Sequence, residues 1–337
     1  MSHQVTIKPS GHQFTVMSGE TVLEAALREN IALPYGCRNG ACGACKGKVL
    51  AGELDHGAYQ AHTLSDEEIS QGLTLFCTAK PCSDLTIEVK EIGAAKDIPV
   101  KTVPCRVEKM EKLADDVMVL WLKLPSSERL QYLPGQYVDF LLKDGKHRSF
   151  SLANAPESDE TLELHIRYVP GGFFTEQVFN TVKPKDIMRI KGPLGSFFLR
   201  ESDKPIIFLA GGTGFAPIKS ILAHAFHHGV DRRMVLYWGA RARPDLYMDE
   251  LPARWHQEHG HFSYVPVLSE PKPADNWSGR TGLVHQAVLD DYPDLSGYEV
   301  YACGAPAMVD AAKRNFMARG LPEDAFFYDA FSFQEIH

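Results

Sequence analysis

The chain has 337 residues, 44% of them hydrophobic, enough to bury a sizeable core and to divide into two or three domains. Its formal net charge of −8 excludes a general nucleic-acid binder, which needs clustered Lys and Arg, and points to basic partner proteins instead. The first fifteen residues lack the basic start and apolar run of a signal peptide, and the most apolar stretch, residues 206–210, is far short of bilayer length, so a cytoplasmic location with no membrane partner is expected.

In chain order, residues 5–7 and 14–16 read as strands. Thr21 and Glu24 then form a capping box opening a helix with Val22, Leu23, Ala26 and Leu27 on its apolar face. The run YGCRNGACGAC follows, placing Cys37, Cys42 and Cys45 with four and then two residues between them, and Cys77 comes after a long gap. Seven cysteines, an odd count without a secretion signal, favour metal ligation or free thiols over disulfides. The spacing is that of a plant-type 2Fe-2S cluster, where three thiolates converge in a tight loop whose backbone N–H groups point at sulfur. Gly36, Gly40 and Gly43, with Ala41 and Ala44, keep such a loop slim. Structural zinc is the competing reading, although its cysteines usually come as two close pairs. Strands at 48–50, 73–77 and 85–89 and a second capping box, Ser65 with Glu68, complete a β-grasp pattern, and residues 1–92 resemble a plant-type ferredoxin. Cys82 reads as a spare thiol.

Residues 93–102 read as a linker, with the next domain, 103–201, starting near Val103. Strand signals at 117–124, 136–142, 148–152, 162–168 and 187–191, with turns between them, suggest a barrel. Within it, RSFSLAN at residues 148–154 resembles the flavin signature of the ferredoxin-NADP reductase superfamily, with Phe150 standing where the family has tyrosine. The resemblance implies that Arg148 pairs with the flavin pyrophosphate, Phe150 packs on the ring system and Ser151 hydrogen-bonds near the reactive nitrogen. Phenylalanine packs but donates no phenolic hydrogen bond. The same resemblance places Ser149, His165, Ile166 and Arg167 beside the flavin. GGFFT at residues 171–175 opens a helix signal running to Val182, and glycines before a hydroxyl residue at a helix N-terminus make an anion site. There Gly171, Gly172, Phe173 and Thr175 are expected to hold the pyrophosphate, with Thr175 as both cap and ligand.

Residues 202–337 open with KPIIFLAGGTGFAPIKSIL, an apolar strand, a glycine turn and a helix in direct succession, which is the context of a dinucleotide-binding turn. Gly212 and Gly214 match the first two fingerprint glycines and Pro217 stands at the third, a variant found in the reductase superfamily, where the turn serves NAD(P)H. Strands near 234–238, 262–268 and 300–303 and a helix over 306–319 indicate a doubly wound parallel sheet. YACGAPAM puts Cys303 and Gly304 at a strand's C-terminal end, where such sheets bind ligands. The resemblance turns Cys303 toward the nicotinamide, adds Gly211, Thr213, Arg241 and Met308 to the nucleotide site, and brings Phe331 of FYDAFSF near the flavin. His256, His259 and His261 have metal-like spacing but read as a polar helix end, and the acceptor triplet Asn276, Trp277, Ser278 as chance.

The fold class expected is therefore a multidomain chain of α+β, β-barrel and α/β parts: a β-grasp ferredoxin, a six-stranded antiparallel flavin barrel and a doubly wound nucleotide domain. The resemblance extends to NAD(P)H-dependent reductases carrying an N-terminal ferredoxin domain. It implies an enzyme with FAD and a 2Fe-2S cluster that passes electrons to a partner protein of dideoxysugar-dehydrase or oxygenase type. A free-standing diaphorase and a cluster-based redox sensor are the alternatives. After the second strand of the nucleotide domain, Arg241 and Arg243 are candidates for a 2'-phosphate. Asp245 and Glu250 beside them favour the free ribose hydroxyls, and so NADH over NADPH.

Overall fold

The computed structural model describes residues 2–92 and 98–331. The chain divides into two compact units, Met1–Pro99 together with Asp329–His337, and Val100–Tyr328. Positions 93–97 of the expected linker and the last six residues of the expected nucleotide domain lie outside the described residues. Among the described residues no helix is long and apolar enough to cross a membrane.

The first unit is built from β1 (His3–Lys8), β2 (Gln13–Val16), α1 (Val22–Arg28), β3 (Lys46–Ala51), β4 (Leu54–Asp55), α2 (Asp66–Ser70), β5 (Leu73–Leu75), β6 (Lys80–Pro81) and β7 (Leu85–Glu88). Both capping boxes form: the Thr21 hydroxyl accepts from the Glu24 N–H at 3.2 Å while the Glu24 carboxylate accepts from the Thr21 N–H at 2.9 Å, and Ser65 and Glu68 repeat the exchange. Val22, Leu23, Ala25 and Ala26 form the buried face of α1. The main sheet runs β2-β1-β7-β3-β5, with β1 and β7 parallel, as a β-grasp requires.

The second unit begins with β8 (Lys101–Ala114), β9 (Val117–Lys123), β10 (Tyr137–Leu141), β11 (His147–Ser151), β12 (Leu162–Arg167), α3 (Phe173–Asn180) and β13 (Ile187–Leu194). Their antiparallel order is β11-β10-β13-β8-β9-β12, and one isolated bridge, Leu152 to Leu164, joins the two edge strands into a barrel. The expected linker ends too late, because β8 already pairs at Lys101 and continues for 14 residues. Only Val103, Cys105 and Val107 are buried in alternation, Pro104 interrupts the run, and most of the other positions are polar or charged, so the strand signal is weak although β8 is central to the sheet.

Beyond the barrel come β14 (Ile206–Gly211), α4 (Phe215–His227), β15 (Met234–Ala240), α5 (Glu250–Glu258), β16 (Phe262–Leu268), β17 (Arg280–Thr281), α6 (Val284–Asp291), β18 (Glu299–Gly304), α7 (Pro306–Met317) and β19 (Phe326–Ala330). The sheet order is β17-β16-β15-β14-β18-β19, with β17 through β18 parallel. Its order reverses beside β14, which places the ligand crevice at the C-terminal ends of β14 and β18. Helix α4 leaves that crevice and packs on the barrel through polar contacts: Ser220 Oγ donates to the Asn154 carbonyl at 2.6 Å and Lys219 Nζ to the Ala153 carbonyl at 3.1 Å.

Candidate functional site

The cysteine loop brings four free thiols together as two pairs. Cys37 and Cys42 share a hydrogen bond, as do Cys45 and Cys77. Backbone N–H groups point at the sulfurs: Cys37 N–H to Cys42 Sγ at 3.3 Å, Ala41 N–H to Cys37 Sγ at 3.4 Å and Ala44 N–H to Cys42 Sγ at 3.5 Å. The hydrogen bond from Cys42, joined by backbone N–H groups, pushes the Cys37 thiol down to about 6 despite its burial. The four sulfurs stand as two hydrogen-bonded pairs, Cys37 with Cys42 and Cys45 with Cys77, while among the described residues Glu157, His224 and His228 are the one set of three or more metal-ligating groups whose atoms all lie within 4.8 Å of one another. Gly36 and Gly40 explain the slim loop, since a Cβ on Gly36 would stand 3.2 Å from Cys42 Sγ and one on Gly40 2.9 Å from the Ala58 carbonyl. Cys82 is exposed and apart from this set.

The flavin candidates flank an opening in the barrel. From the Leu152–Leu164 bridge, β11 and β12 separate, and the register it sets would oppose Ser151 to His165 and Phe150 to Ile166 without ladder bonds. Two unpaired strand edges facing each other leave backbone donors and acceptors for a planar ligand. Ser151 is buried and Phe150 half-buried in a ring cluster with Phe140 and Phe174, at centroid distances of 5.9 and 5.5 Å. Ser149 turns to the other side, donating to Asp139 Oδ1 at 2.6 Å, and Arg148 Nη1 donates to the His147 carbonyl at 2.8 Å.

The glycine turn after β12 works differently from expectation. Gly172, not Thr175, is the N-cap of α3, and its own N–H donates to the Val169 carbonyl at 2.9 Å. The Thr175 hydroxyl accepts from the Val169 N–H at 3.1 Å, and Gly171 N–H is taken by Glu176 Oε1 at 3.1 Å. Thr175 therefore closes the turn from within, and the first-turn N–H groups of Phe173, Phe174 and Thr175 are those left for an anion. Sequence spacing shows that a turn precedes a helix but does not show which donors the turn itself consumes.

At the crevice, Gly211, Gly212, Thr213 and Gly214 pass from β14 into α4 through one 3-10 turn, and Pro217 is buried in the helix's first turn. Gly214 presses on β18: a Cβ there would lie 2.1 Å from the Cys303 carbonyl oxygen. Cys303 is fully buried opposite Ala210, Gly304 has φ of 150°, and Met308 Sδ occupies the space beside Gly211. Arg167 has its Nη1 2.5 Å from where a Cβ on Gly212 would point and its Nε 3.1 Å from Asp116. Trp238, which sequence reasoning missed, donates Nε1–H to the Gly212 carbonyl at 3.0 Å and stacks on Phe215 at 4.1 Å. Its place in an ordinary apolar strand carried no signal of that role. Arg241 is exposed just beyond β15. Phe331, half-buried, is the last described residue, and the end of FYDAFSF lies outside the described residues. The histidines at 256, 259 and 261 form no ligand set, His256 bonding the Phe262 carbonyl and His259 stacking on Phe226.

Between barrel and crevice, Lys219 Nζ meets Glu163 Oε2 at 2.9 Å with both side chains almost wholly buried. Burial alone would raise the Glu163 carboxyl, but the hydrogen bond from His165 and the Lys219 charge outweigh it and hold the group at about 2, against an ordinary 4.5. A depressed carboxylate stabilises the fold fully above its unfolded value and loses that contribution as pH falls toward the folded one. Between about pH 4.5 and 2 the protein should thus lose on the order of 3 kcal/mol through Glu163. Urea unfolding followed by tryptophan fluorescence should show a shallower pH dependence over that window in Glu163→Gln. Equal slopes in both proteins would refute the assignment.

A four-thiol loop of plant-type spacing, a seam where β11 and β12 part and a dinucleotide turn on one chain together match the layout of an iron-sulfur flavoprotein reductase. Residues 5–82 match the 2Fe-2S iron-sulfur cluster binding domain, 104–199 the oxidoreductase FAD-binding domain and 208–314 the oxidoreductase NAD-binding domain. The chain is 42% identical over 331 residues to CDP-6-deoxy-L-threo-D-glycero-4-hexulose-3-dehydrase reductase of Yersinia pestis, covering 98% of this chain and 99% of that one. It is 37% identical to the phenol 2-monooxygenase reductase component DmpP of a Pseudomonas species, covering 98% and 95%. The crystal structure of the Amycolatopsis reductase GcoB superposes with a TM-score of 0.80 at 34% identity, covering 98% of each chain. The chain belongs to this family of NAD(P)H-dependent, ferredoxin-type reductases. It is an oxidoreductase that uses FAD, a nicotinamide nucleotide and a 2Fe-2S cluster.

Proposed function

We propose that this chain draws its electrons from NADH and delivers them singly to a dehydrase of the 4-hexulose-3-dehydrase kind, with the flavin in the β11–β12 seam. The observation that carries the site is the seam where β11 and β12 part beyond the Leu152–Leu164 bridge, with Arg167 of β12 reaching the Gly211–Gly214 turn. When bound, the flavin accepts a hydride and the cluster releases electrons one at a time. The chain's own part is placement. Arg148 and the first-turn N–H groups of α3 hold the pyrophosphate, and the Ser151 hydroxyl offers a hydrogen bond where the hydride arrives. The turn at Gly212 holds the nucleotide phosphates, and Cys303 with Gly304 shapes the nicotinamide pocket. Phe331 as the aromatic wall of the flavin rests on the family's closing segment alone. The dehydrase partner is favoured over an oxygenase by the 42% identity against 37%. A cytoplasmic location goes with the seven cysteines, none of which is in a disulfide among the described residues.

NADH is favoured by the charges at the end of β15. Arg243 Nη1 is held by the Asp275 carbonyl at 3.3 Å and its N–H faces Asp275 Oδ2 at 3.4 Å, while Asp245 caps the Ala242 N–H at 3.1 Å. The carboxylates of Asp245 and Asp275 at this end of β15 disfavour a 2'-phosphate. Steady-state reduction of cytochrome c, with visible spectra before and after anaerobic nucleotide, should give a kcat/KM about ten-fold higher for NADH than for NADPH, worth ~1.4 kcal/mol. A preference for NADPH would overturn this choice.

A further inference from the structure

Strand β12 reads LELHIR, and its two faces have different fates. Leu162, Leu164 and Ile166 enter the barrel core, while Glu163, His165 and Arg167 share the opposite face. On a half-buried sheet that polar face meets water. Here Glu163 is 8% and His165 4% exposed, because the face is covered by the nucleotide-binding half.

Glu163 and His165 each reach a group of the nucleotide-binding half. Glu163 Oε2 accepts from Lys219 Nζ of α4 at 2.9 Å, and Lys219 also donates to the carbonyl of Ala153, two residues beyond Ser151. Glu163 Oε1 lies 2.8 Å from His165 Nε2, and His165 Nδ1 lies 2.8 Å from the Tyr247 hydroxyl. The charges order the protons. A carboxylate can only accept, so Nε2 carries the hydrogen, Nδ1 is bare, and the Tyr247 O–H donates to it. Burial keeps the imidazole neutral and the phenol protonated, in agreement with that order. Tyr247 in turn stands edge-on to Trp238 at 5.3 Å and 88°, and Trp238 holds the Gly212 carbonyl. A continuous chain of contacts thus runs from the strand after the flavin motif to the nucleotide turn.

We propose that Glu163, His165 and Tyr247 are positioning residues for hydride transfer, fixing the nucleotide turn against the flavin seam through this buried chain. The inference rests on the reading of the seam and the turn given above. Hydride transfer requires the reacting atoms at ~3–3.5 Å, and a displacement of ~1 Å costs on the order of 100-fold in rate, so a link that sets the spacing acts on the rate more than on affinity.

The test is anaerobic stopped-flow reduction of the FAD- and cluster-loaded protein by NADH. In Tyr247→Phe, which removes one oxygen, the limiting rate of flavin reduction should fall about ten-fold or more while the half-saturating NADH concentration moves less than about three-fold. Flavin and iron content should stay at parent levels, and the long-wavelength band of stacked nicotinamide and flavin should weaken. A limiting rate within two-fold of the parent overturns the proposal. Glu163→Gln, equal in shape, provides a second arm. If both act through His165, the double variant falls no further than the worse single one, whereas multiplied losses would mean two unrelated packing defects and would also overturn it. A parent protein that NADH leaves oxidised would instead defeat the reading of the site, and the two failures are told apart by that control.

Discussion

Cys42→Ser should abolish reduction of cytochrome c, by at least about 100-fold, while ferricyanide reduction by NADH stays within about three-fold of the parent. Cys42 is one half of a thiol pair with Cys37, and its sulfur receives two backbone N–H groups, from Cys37 and Ala44. A serine hydroxyl ionises far less readily than a thiol and offers iron a hard ligand, so one metal centre loses its ligand set. The damage should stay local. The cluster thiols belong to the unit Met1–Pro99 and the flavin strands and nucleotide turn to Val100–Tyr328, so the hydride-accepting part keeps its own core. Metal analysis alongside the two assays checks the cause, and survival of both activities at equal level would show that electrons reach cytochrome c without the cluster.

The second large effect is expected from Gly214→Ala. Gly214 has φ of −58° and ψ of −11°, a conformation any residue adopts, so backbone strain is not the issue. Space is. The added Cβ would lie 2.1 Å from the Cys303 carbonyl oxygen and 2.5 Å from its carbon, so either the turn or β18 must move. Overpacking of this kind costs about 1–3 kcal/mol. Here the displaced atoms are those proposed to hold the nucleotide phosphates and the nicotinamide, so kcat/KM for NADH should fall about 30-fold or more with the flavin still bound. Flavin content and NADH kinetics on the purified variant check this, and unchanged kinetics would show that the Gly214 contact with Cys303 has no bearing on the nucleotide.

The site was legible where the chemistry is local. The four-then-two cysteine spacing needs only a short loop to bring thiolates together, and the two capping boxes need only residues three apart, so both are present as the pattern predicts. The glycine turn between β14 and α4 is equally local, since strand, turn and helix follow one another without interruption. Sequence alone thus determined the order of the three parts and the family of chemistry they serve.

What only the tertiary structure decided is which polar atoms from distant segments meet. Cys45 meets Cys77, 32 positions away, through a side-chain hydrogen bond that no local spacing announces. The polar face of β12 carries the same alternation as any half-exposed strand, and nothing within LELHIR announces that Lys219 and Tyr247 will bury it. Gly172 and Thr175 keep their glycine-turn signature although their polar groups are turned inward to Val169. Periodicity and caps act over a turn or two of chain, whereas a buried hydrogen bond between remote segments is set by how whole elements pack, and that packing leaves no mark on the residues nearest in sequence.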